Sequence, residues 1–172
     1  MSTSATTKER IYPGETSTPA ELIALADEFR RATEAVVSTH KAGNMISTAP
    51  FRLLCIHAIE LYLNAFLRDA GQPAPAIRGL QHNLAARLEL TDQYGLVLRQ
   101  KTRGHLAAIS ENREYLLSRY QPKAAKLSQL NRLQATLLEV HEKVLKKLSE
   151  PKPKISPRAL TLTGAAGVAL RA

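Results

Sequence analysis

The stretch from Phe51 to Leu67 constrains the fold most strongly, because only four polar side chains interrupt its apolar run. These side chains are Arg52, His57, Glu60 and Asn64. A helix that is apolar on nearly all sides is typical of a central core element. At about 100° per residue, the last three lie within about 60° of one another, whereas Arg52 points elsewhere. The sequence therefore predicts a buried central helix with one narrow polar stripe.

Composition favours a single all-α domain. The chain has 172 residues, of which 44% are hydrophobic and 23% charged, which is enough apolar material for one compact core. Its aromatic content is 5% and it has no Trp, and with abundant Leu and Ala this favours helices over a β-sandwich or barrel. The sole cysteine, Cys55, cannot form an internal disulfide.

The N-terminus lacks the charged-then-apolar layout of a signal peptide, so we predict a cytoplasmic protein. The run from Phe51 to Leu67 is nearly long enough to cross a bilayer. However, Arg52, His57 and Glu60 would then lie in hydrocarbon at considerable cost. We therefore expect a core helix and no membrane insertion.

Capping residues, apolar spacing and breakers divide the chain into segments. Residues 1–17 are predicted to be a disordered arm, and Thr18, Pro19 and Glu21 begin a first helix by capping its free amides. The predicted helices run from Pro19 to about Lys41, from Pro50 to about Ala70, from His82 to Tyr94, from Leu96 to Tyr120 with a break near Gly104, and from about Lys123 to Leu148. Between the second and third helices, Pro73 and Pro75 predict a rigid connector.

These segments predict an all-α helical domain over residues 18–122. The helix within 123–149 repeats apolar residues at spacings of three and four, which would pack on the bundle or on a dimer partner. Residues 150–172 are proline-interrupted and basic, which predicts a disordered tail.

The net charge is +9, and much of the excess lies between residues 99 and 126. Such a distribution suits a polyanion, with phosphate contacts supplying most of the affinity, although a solvated helical face that binds nothing is equally compatible with it. The predicted phosphate or RNA contacts are Arg99, Lys101, Arg103, Arg119, Lys123 and Lys126. In the same region, Arg113 falls on the apolar face of the predicted fourth helix, and Glu60 is its expected internal partner because a buried guanidinium must be paired.

Three segments resemble the HEPN superfamily of prokaryotic helical domains. They are the run from Ile56 to Leu67, the step Gln81-His82-Asn83-Leu84, and Arg119-Tyr120 near the end of a later helix. The resemblance covers about residues 20–122. Asn64 stands where relatives often carry lysine, so a Glu-to-Lys pairing typical of the family is absent.

The resemblance implies a four- to five-helix, up-and-down bundle that forms homodimers and often acts on RNA in toxin-antitoxin, phage-defence or nucleotidyltransferase-associated systems. An antitoxin or a nucleotidyltransferase-type protein is the partner it implies. Catalytic members are metal-independent ribonucleases with an Arg-x4-6-His motif on a late helix, where the imidazole moves a proton and the arginine holds the phosphate. Here Arg113 is followed by Tyr120 in place of the histidine, and tyrosine is a poor base at neutral pH. This departure argues against ribonuclease activity.

The remaining candidates each have a structural alternative. His57 and Glu60 could be an acid-base pair or a buried hydrogen-bonded pair that fixes helix packing. His82 could cap a helix or reach the basic cleft. Arg52 and His57 form an Arg-x4-His string, but the two side chains point about 140° apart, so we interpret it as coincidental. As catalytic candidates we therefore carry Arg113, Tyr120, His82 and His57.

No zinc-ligand spacing, phosphate-binding loop or dinucleotide glycine pattern occurs in the sequence, so no cofactor or metal is predicted. The leading hypothesis is a HEPN-like domain that binds RNA or a partner protein with weak or no catalysis. The alternatives are an active metal-independent endoribonuclease and a structural adaptor that assembles through its last helix.

Overall fold

The computed structural model describes residues 11–121 and 127–151, and its regular elements there are all helical, in agreement with the all-α prediction. They are α1 (Pro19–Val37), a 3₁₀ turn (Met45–Thr48), α2 (Ala49–Asp69), α3 (Ala74–Gly79), α4 (Leu84–Gln93), α5 (Gln100–Glu111), α6 (Glu114–Tyr120) and α7 (Leu130–Ser149). Lys123 and Lys126 lie outside the described residues.

Helix α2 is the centre of the core, as its apolar run predicts. Most of its side chains are buried, and α1, α7, α6 and α4 pack around it. The segment Met45–Asp69 is long and apolar enough to cross a membrane by length and composition, but 72% of its most apolar window is buried inside the protein. That burial is typical of the core helix of a globular fold.

Helix α1 begins with the predicted capping box. The Thr18 hydroxyl accepts a hydrogen bond from the Glu21 amide, and the Glu21 carboxylate accepts one from the Thr18 amide. Asp27 contacts Tyr62 and Phe29 contacts His57, so α1 and α2 run antiparallel. The helix ends at Val37, four residues before the predicted end at Lys41.

The connector after α2 contains a helix that the sequence prediction missed. Pro73 and Pro75 lie on either side of Ala74, the first residue of α3. Backbone amides in the first turn of a helix have no intrahelical acceptor, so proline loses no hydrogen bond there. The next helix starts at Leu84 rather than at His82, because the Asn83 side chain caps it by accepting from the Ala86 amide at 3.0 Å. His82 is therefore placed in the loop before α4.

The predicted break near Gly104 is wrong, and the interruption lies at Asn112 and Arg113 instead. Arg113 adopts the left-handed conformation with φ of 52° and separates α5 from α6. The apolar face that was extended across this break is therefore not continuous. Arg113 is exposed, so the prediction that it lies on a buried apolar face is wrong. Tyr120 is also exposed, at 76%.

Arg52 ties α2 to the segment before α7, on the side away from the polar stripe. Its guanidinium donates to the Thr48 hydroxyl at 3.0 Å and to the Ser128 carbonyl at 2.5 Å. The buried Glu114 carboxylate lies 3.8 Å from Arg52 and accepts from the Ser128 amide and hydroxyl. Arg52 and His57 thus have separate partners and do not form one site.

Helix α7 packs within the same chain. Its buried residues include Leu133, Leu137, Val140 and Val144, which lie in the same core as α2. The α7 residue Glu139 also caps α5, because its carboxylate accepts from the Arg99 amide and the Thr102 hydroxyl, each at 2.7 Å. The three-four repeat is consequently part of the core of one chain.

We predict that Leu137→Ala lowers the free energy of unfolding by about 2–5 kcal/mol, because it leaves a cavity in a core position that is 1% exposed. The matched control is Leu138→Ala, at a neighbouring position that is 46% exposed, with an expected change within about 0.5 kcal/mol. Urea denaturation measures both. If Leu137→Ala keeps its stability and changes only the elution volume, α7 assembles chains rather than completing the core.

Candidate functional site

The polar stripe of α2 forms the floor of a groove, which we call the main groove. His57, Glu60 and Asn64 all line it, as the helical spacing predicts, and its volume is about 980 Å³. Its walls come from α1, α3, the loop before α4, and α6. A second cavity of about 860 Å³, the side groove, shares His82 with it. The sequence-predicted residues His57, Glu60, Asn64 and His82 therefore all lie at concave surfaces.

Glu60 pairs with Arg87, not with Arg113 as predicted. Arg87 donates to one Glu60 oxygen at 3.1 Å and to the Asn64 side-chain oxygen at 2.7 Å. Arg87 is 2% exposed, and burial lowers its pKa while the Glu60 carboxylate opposes that shift. A guanidinium stays charged at neutral pH even so, which makes this a buried ion pair.

The sequence contains a signal for Arg87 that the prediction did not use. Leu84, Leu88 and Thr91 are buried on the same face of α4, and Arg87 lies between them at helical spacing. An arginine on a buried helical face requires a partner, and the α2 stripe offered the Glu60 carboxylate, which the prediction had assigned to Arg113.

His82 is the histidine that the structure brings into contact with Glu60. Its Nδ1 lies 3.0 Å from the second Glu60 oxygen, and its side chain is 42% exposed. A carboxylate on one ring nitrogen fixes the orientation and favours one tautomer of the imidazole. The other ring nitrogen, Nε2, is then on the side of the ring away from Glu60. Such a histidine is arranged to exchange a proton with a bound group.

A planar stack forms where the two grooves meet. The His82 and Tyr115 rings stack with centroids 3.7 Å apart, and the Arg119 guanidinium lies 4.5 Å from the Tyr115 centroid. Arg119 is exposed, and so is His82. We call these three residues the planar stack, and they give the groove edge flat surfaces together with a positive charge.

His57 has a packing role in this arrangement. Its ring meets the Phe29 ring edge-to-face at 4.5 Å. Burial lowers its pKa, with smaller contributions from Arg119 and His82, whereas Glu60 opposes the shift. The Glu60 oxygens bind Arg87 and His82 instead of His57. His57 is therefore a neutral imidazole that packs against Phe29.

Backbone strain is concentrated beside His82. Among residues 11–121 and 127–151, the non-glycine residues with positive φ are Gln81 and Arg113, at 47° and 52°. Both line the side groove, as does His82. Left-handed backbone costs a residue with a Cβ of the order of 1 kcal/mol, and such strain is common at functional sites.

The structure separates the predicted basic surface into two regions. Arg99, Lys101 and Arg103 lie at the start of α5, where Arg103 pairs with Asp92. Arg113 and Arg119 lie beyond the other end of α5, about 18 Å away by the rise of a 12-residue helix. The region near the grooves therefore contains Arg113 and Arg119 but not the first three.

Tyr120 does not belong to this site. Tyr120 is the last residue of α6, and it is not among the described residues that line the two grooves.

Other reactive groups are inert or structural. Burial raises the pKa of the Cys55 thiol to about 12, so it stays protonated. His105 bridges the Thr136 and Ser128 hydroxyls at 2.7 Å each, and burial lowers its pKa to about 4. Within the described ranges, 11–121 and 127–151, no three His, Cys, Asp or Glu side chains are grouped to hold a metal ion.

Comparison of the chain with protein-family models, with curated proteins and with solved structures gives no match.

We predict that Arg87→Met lowers the free energy of unfolding by about 3–5 kcal/mol, because it leaves the buried Glu60 carboxylate without its cation. Adding Glu60→Gln to this variant should restore part of the loss, so the two changes are not additive. Arg31→Met, which removes a partner from the exposed Glu28 pair, is the control and should leave the urea midpoint unchanged. Additive losses for Arg87→Met and Glu60→Gln would contradict the pairing.

Proposed function

We propose that this protein is a HEPN-like helical bundle that binds single-stranded RNA across the planar stack, with weak or no catalysis. The observation that carries the proposal is the stack of His82, Tyr115 and Arg119 beside the exposed Arg113. Unpaired bases stack on imidazole and guanidinium planes, and arginine binds phosphate in a two-pronged geometry. Double-stranded nucleic acid offers no free base faces, so a single strand fits this surface better.

The three segments that resemble HEPN proteins meet at one place, which supports the proposal. His57, Glu60 and Asn64 come from α2, His82 from the loop before α4, and Arg119 from α6. They are distant in sequence, yet they line or adjoin the main groove. A shared RNA surface would require this convergence.

The proposal extends to a homodimer in the cytoplasm, in a toxin-antitoxin or phage-defence type of system, as the resemblance implies. A cognate antitoxin or a nucleotidyltransferase-type protein is the protein partner that it implies. These features rest on the resemblance alone.

We expect Arg119→Ala and Arg113→Gly each to weaken binding of a labelled single-stranded RNA by roughly tenfold at low salt, because each removes a phosphate contact worth about 1–2 kcal/mol. Glycine is chosen at position 113 because it relieves the positive φ while removing the charge. Filter binding across a salt series measures affinity, and each variant should reduce the salt slope by about 1.

The control is Arg99→Ala, which removes an equal charge at the other end of α5, where the side chain is 77% exposed. It should change affinity much less than Arg119→Ala. Equal losses at all three positions would indicate nonspecific attraction by the net charge and would count against a site at the planar stack.

A second candidate function is metal-independent endoribonuclease activity, and the contact between Glu60 and His82 favours it. His82 Nε2 would take the proton of a 2′-hydroxyl, whose oxygen then attacks the adjacent phosphorus. The P–O5′ bond breaks, leaving a 2′,3′-cyclic phosphate, and the leaving 5′-oxygen takes a proton from water to become a hydroxyl. Arg113 would hold the charge on the phosphate. His82 would thus replace the absent motif histidine.

We expect wild-type protein in EDTA to bind labelled RNA without cutting it. If cutting occurs, His82→Phe should abolish it while retaining binding, because phenylalanine can still stack on Tyr115 but cannot transfer a proton. Arg113→Ala should also abolish it and leave the helical circular-dichroism signal intact. Cutting that persists in His82→Phe would rule out the assigned proton transfer and would direct attention to contaminating nucleases.

The structural adaptor remains the third hypothesis. The apolar repeat in α7 is not available to bind a second chain, because Leu137 and Val140 are 1% and 0% exposed within one chain. An adaptor would need another surface. Absence of both RNA binding and RNA cutting would direct the search to protein partners.

A further inference from the structure

Residues 11–17, which precede α1, form one wall of the main groove. The sequence predicts a disordered arm here, but Tyr12, Glu15 and Ser17 line the same groove as Glu60 and Asn64. We call residues 11–17 the strap. Its position brings it within reach of any ligand that enters the groove.

The strap has a defined local structure and one firm end. The Glu15 amide donates to the Tyr12 carbonyl at 3.0 Å, and the Glu15 carboxylate accepts from the Tyr12 amide at 3.2 Å. Gly14 supplies the left-handed backbone that this turn requires, with φ of 84°. The Thr18 capping box then anchors the following residue to α1.

The strap also contacts Arg78 of α3, which lines the same groove. The Arg78 guanidinium lies 4.5 Å from the Tyr12 ring centroid, and its Nη1 lies 3.5 Å from the Glu15 carboxylate. The Arg78 and Glu15 side chains are 42% and 39% exposed. Exposed cation–π contacts and ion pairs are individually weak, so this attachment is reversible.

The charges give the contact a consequence. Arg78 is a cation that lines the main groove, and Glu15, which lines the same groove, neutralises it. A phosphate is a stronger partner for arginine than an exposed carboxylate, because it offers more acceptor oxygens in a suitable geometry. A phosphate-bearing ligand would therefore compete with Glu15 for Arg78 and would find no free cation there while Glu15 stays in place.

We propose that the strap is an autoinhibitory gate over the main groove, which the phosphate backbone of single-stranded RNA opens by displacing Glu15 from Arg78. This inference rests on the proposed RNA binding and assigns its regulation to the contact between the strap and α3. Binding that extends from the planar stack into the main groove then competes with the strap contact, and a change that weakens the contact raises affinity.

The first test compares Glu15→Gln with Glu28→Gln in the full chain, using a labelled oligouridylate. Both changes remove one negative charge, but Glu28 is 70% exposed on α1, pairs with Arg31 and does not line the main groove. Glu15→Gln should bind roughly three- to tenfold more tightly than wild type, corresponding to loss of a weak competing contact. Glu28→Gln should stay within about twofold, as expected for a distant exposed charge.

The second test follows the strap itself. The chain contains no Trp, so Tyr12→Trp introduces a unique fluorophore at the contact with Arg78. Its anisotropy should fall when Arg78→Ala is added in the absence of RNA. In the Tyr12→Trp protein alone, it should fall over the same oligouridylate concentrations that produce binding.

The outcomes separate the two proposals. RNA binding with equal affinity in Glu15→Gln and Glu28→Gln, or with unchanged indole anisotropy, overturns the gate and leaves the proposed function standing. No RNA binding by any variant overturns the proposed function and the competition together. In that case the response of Tyr12→Trp to Arg78→Ala still shows whether the strap contact forms.

Discussion

The ion pair between Glu60 and Arg87 is the interaction on which the rest of the site depends. A carboxylate on the central helix and a guanidinium that is 2% exposed can be buried only together, since either charge alone would be costly. The pair fixes α4 against α2. It also holds the Glu60 oxygen that orients His82, so core stability and groove geometry share one interaction.

Buried carboxylates recur as connectors elsewhere in the molecule. The Glu114 carboxylate accepts hydrogen bonds from the Ser128 amide and hydroxyl. The Glu139 carboxylate accepts them from the Arg99 amide and the Thr102 hydroxyl. Each places an acceptor where backbone donors before or at the start of a helix would otherwise lack a partner. The difference at Glu60 is that one of its donors, His82, is exposed at a groove. Of these three carboxylates, only Glu60 lines a groove.

The sequence predicted features that depend on local spacing. The central helix, its polar stripe and the Thr18 capping box were predicted correctly, because helical periodicity and cap chemistry are local. The partner of Glu60 was not predicted correctly. Helical spacing gives the direction of a side chain around its own helix, but it does not give the neighbouring helix that the side chain faces. The break at Arg113 was also missed, because left-handed backbone is usually marked by glycine or asparagine and the sequence has arginine there.

In the described part of the chain, the two non-glycine residues with positive φ, Gln81 and Arg113, both line the side groove. Glycine at position 81 or 113 would remove the cost of positive φ, but it would also remove a side chain that lines the side groove. The folded chain tolerates this cost because the Asn83 cap on one side and the Glu114 contacts on the other fix the backbone that follows each strained residue. Strain at these positions therefore keeps polar side chains at the groove beside His82. Gln81 and Arg113 are both exposed, so burial of their side chains in the core does not account for their positive φ.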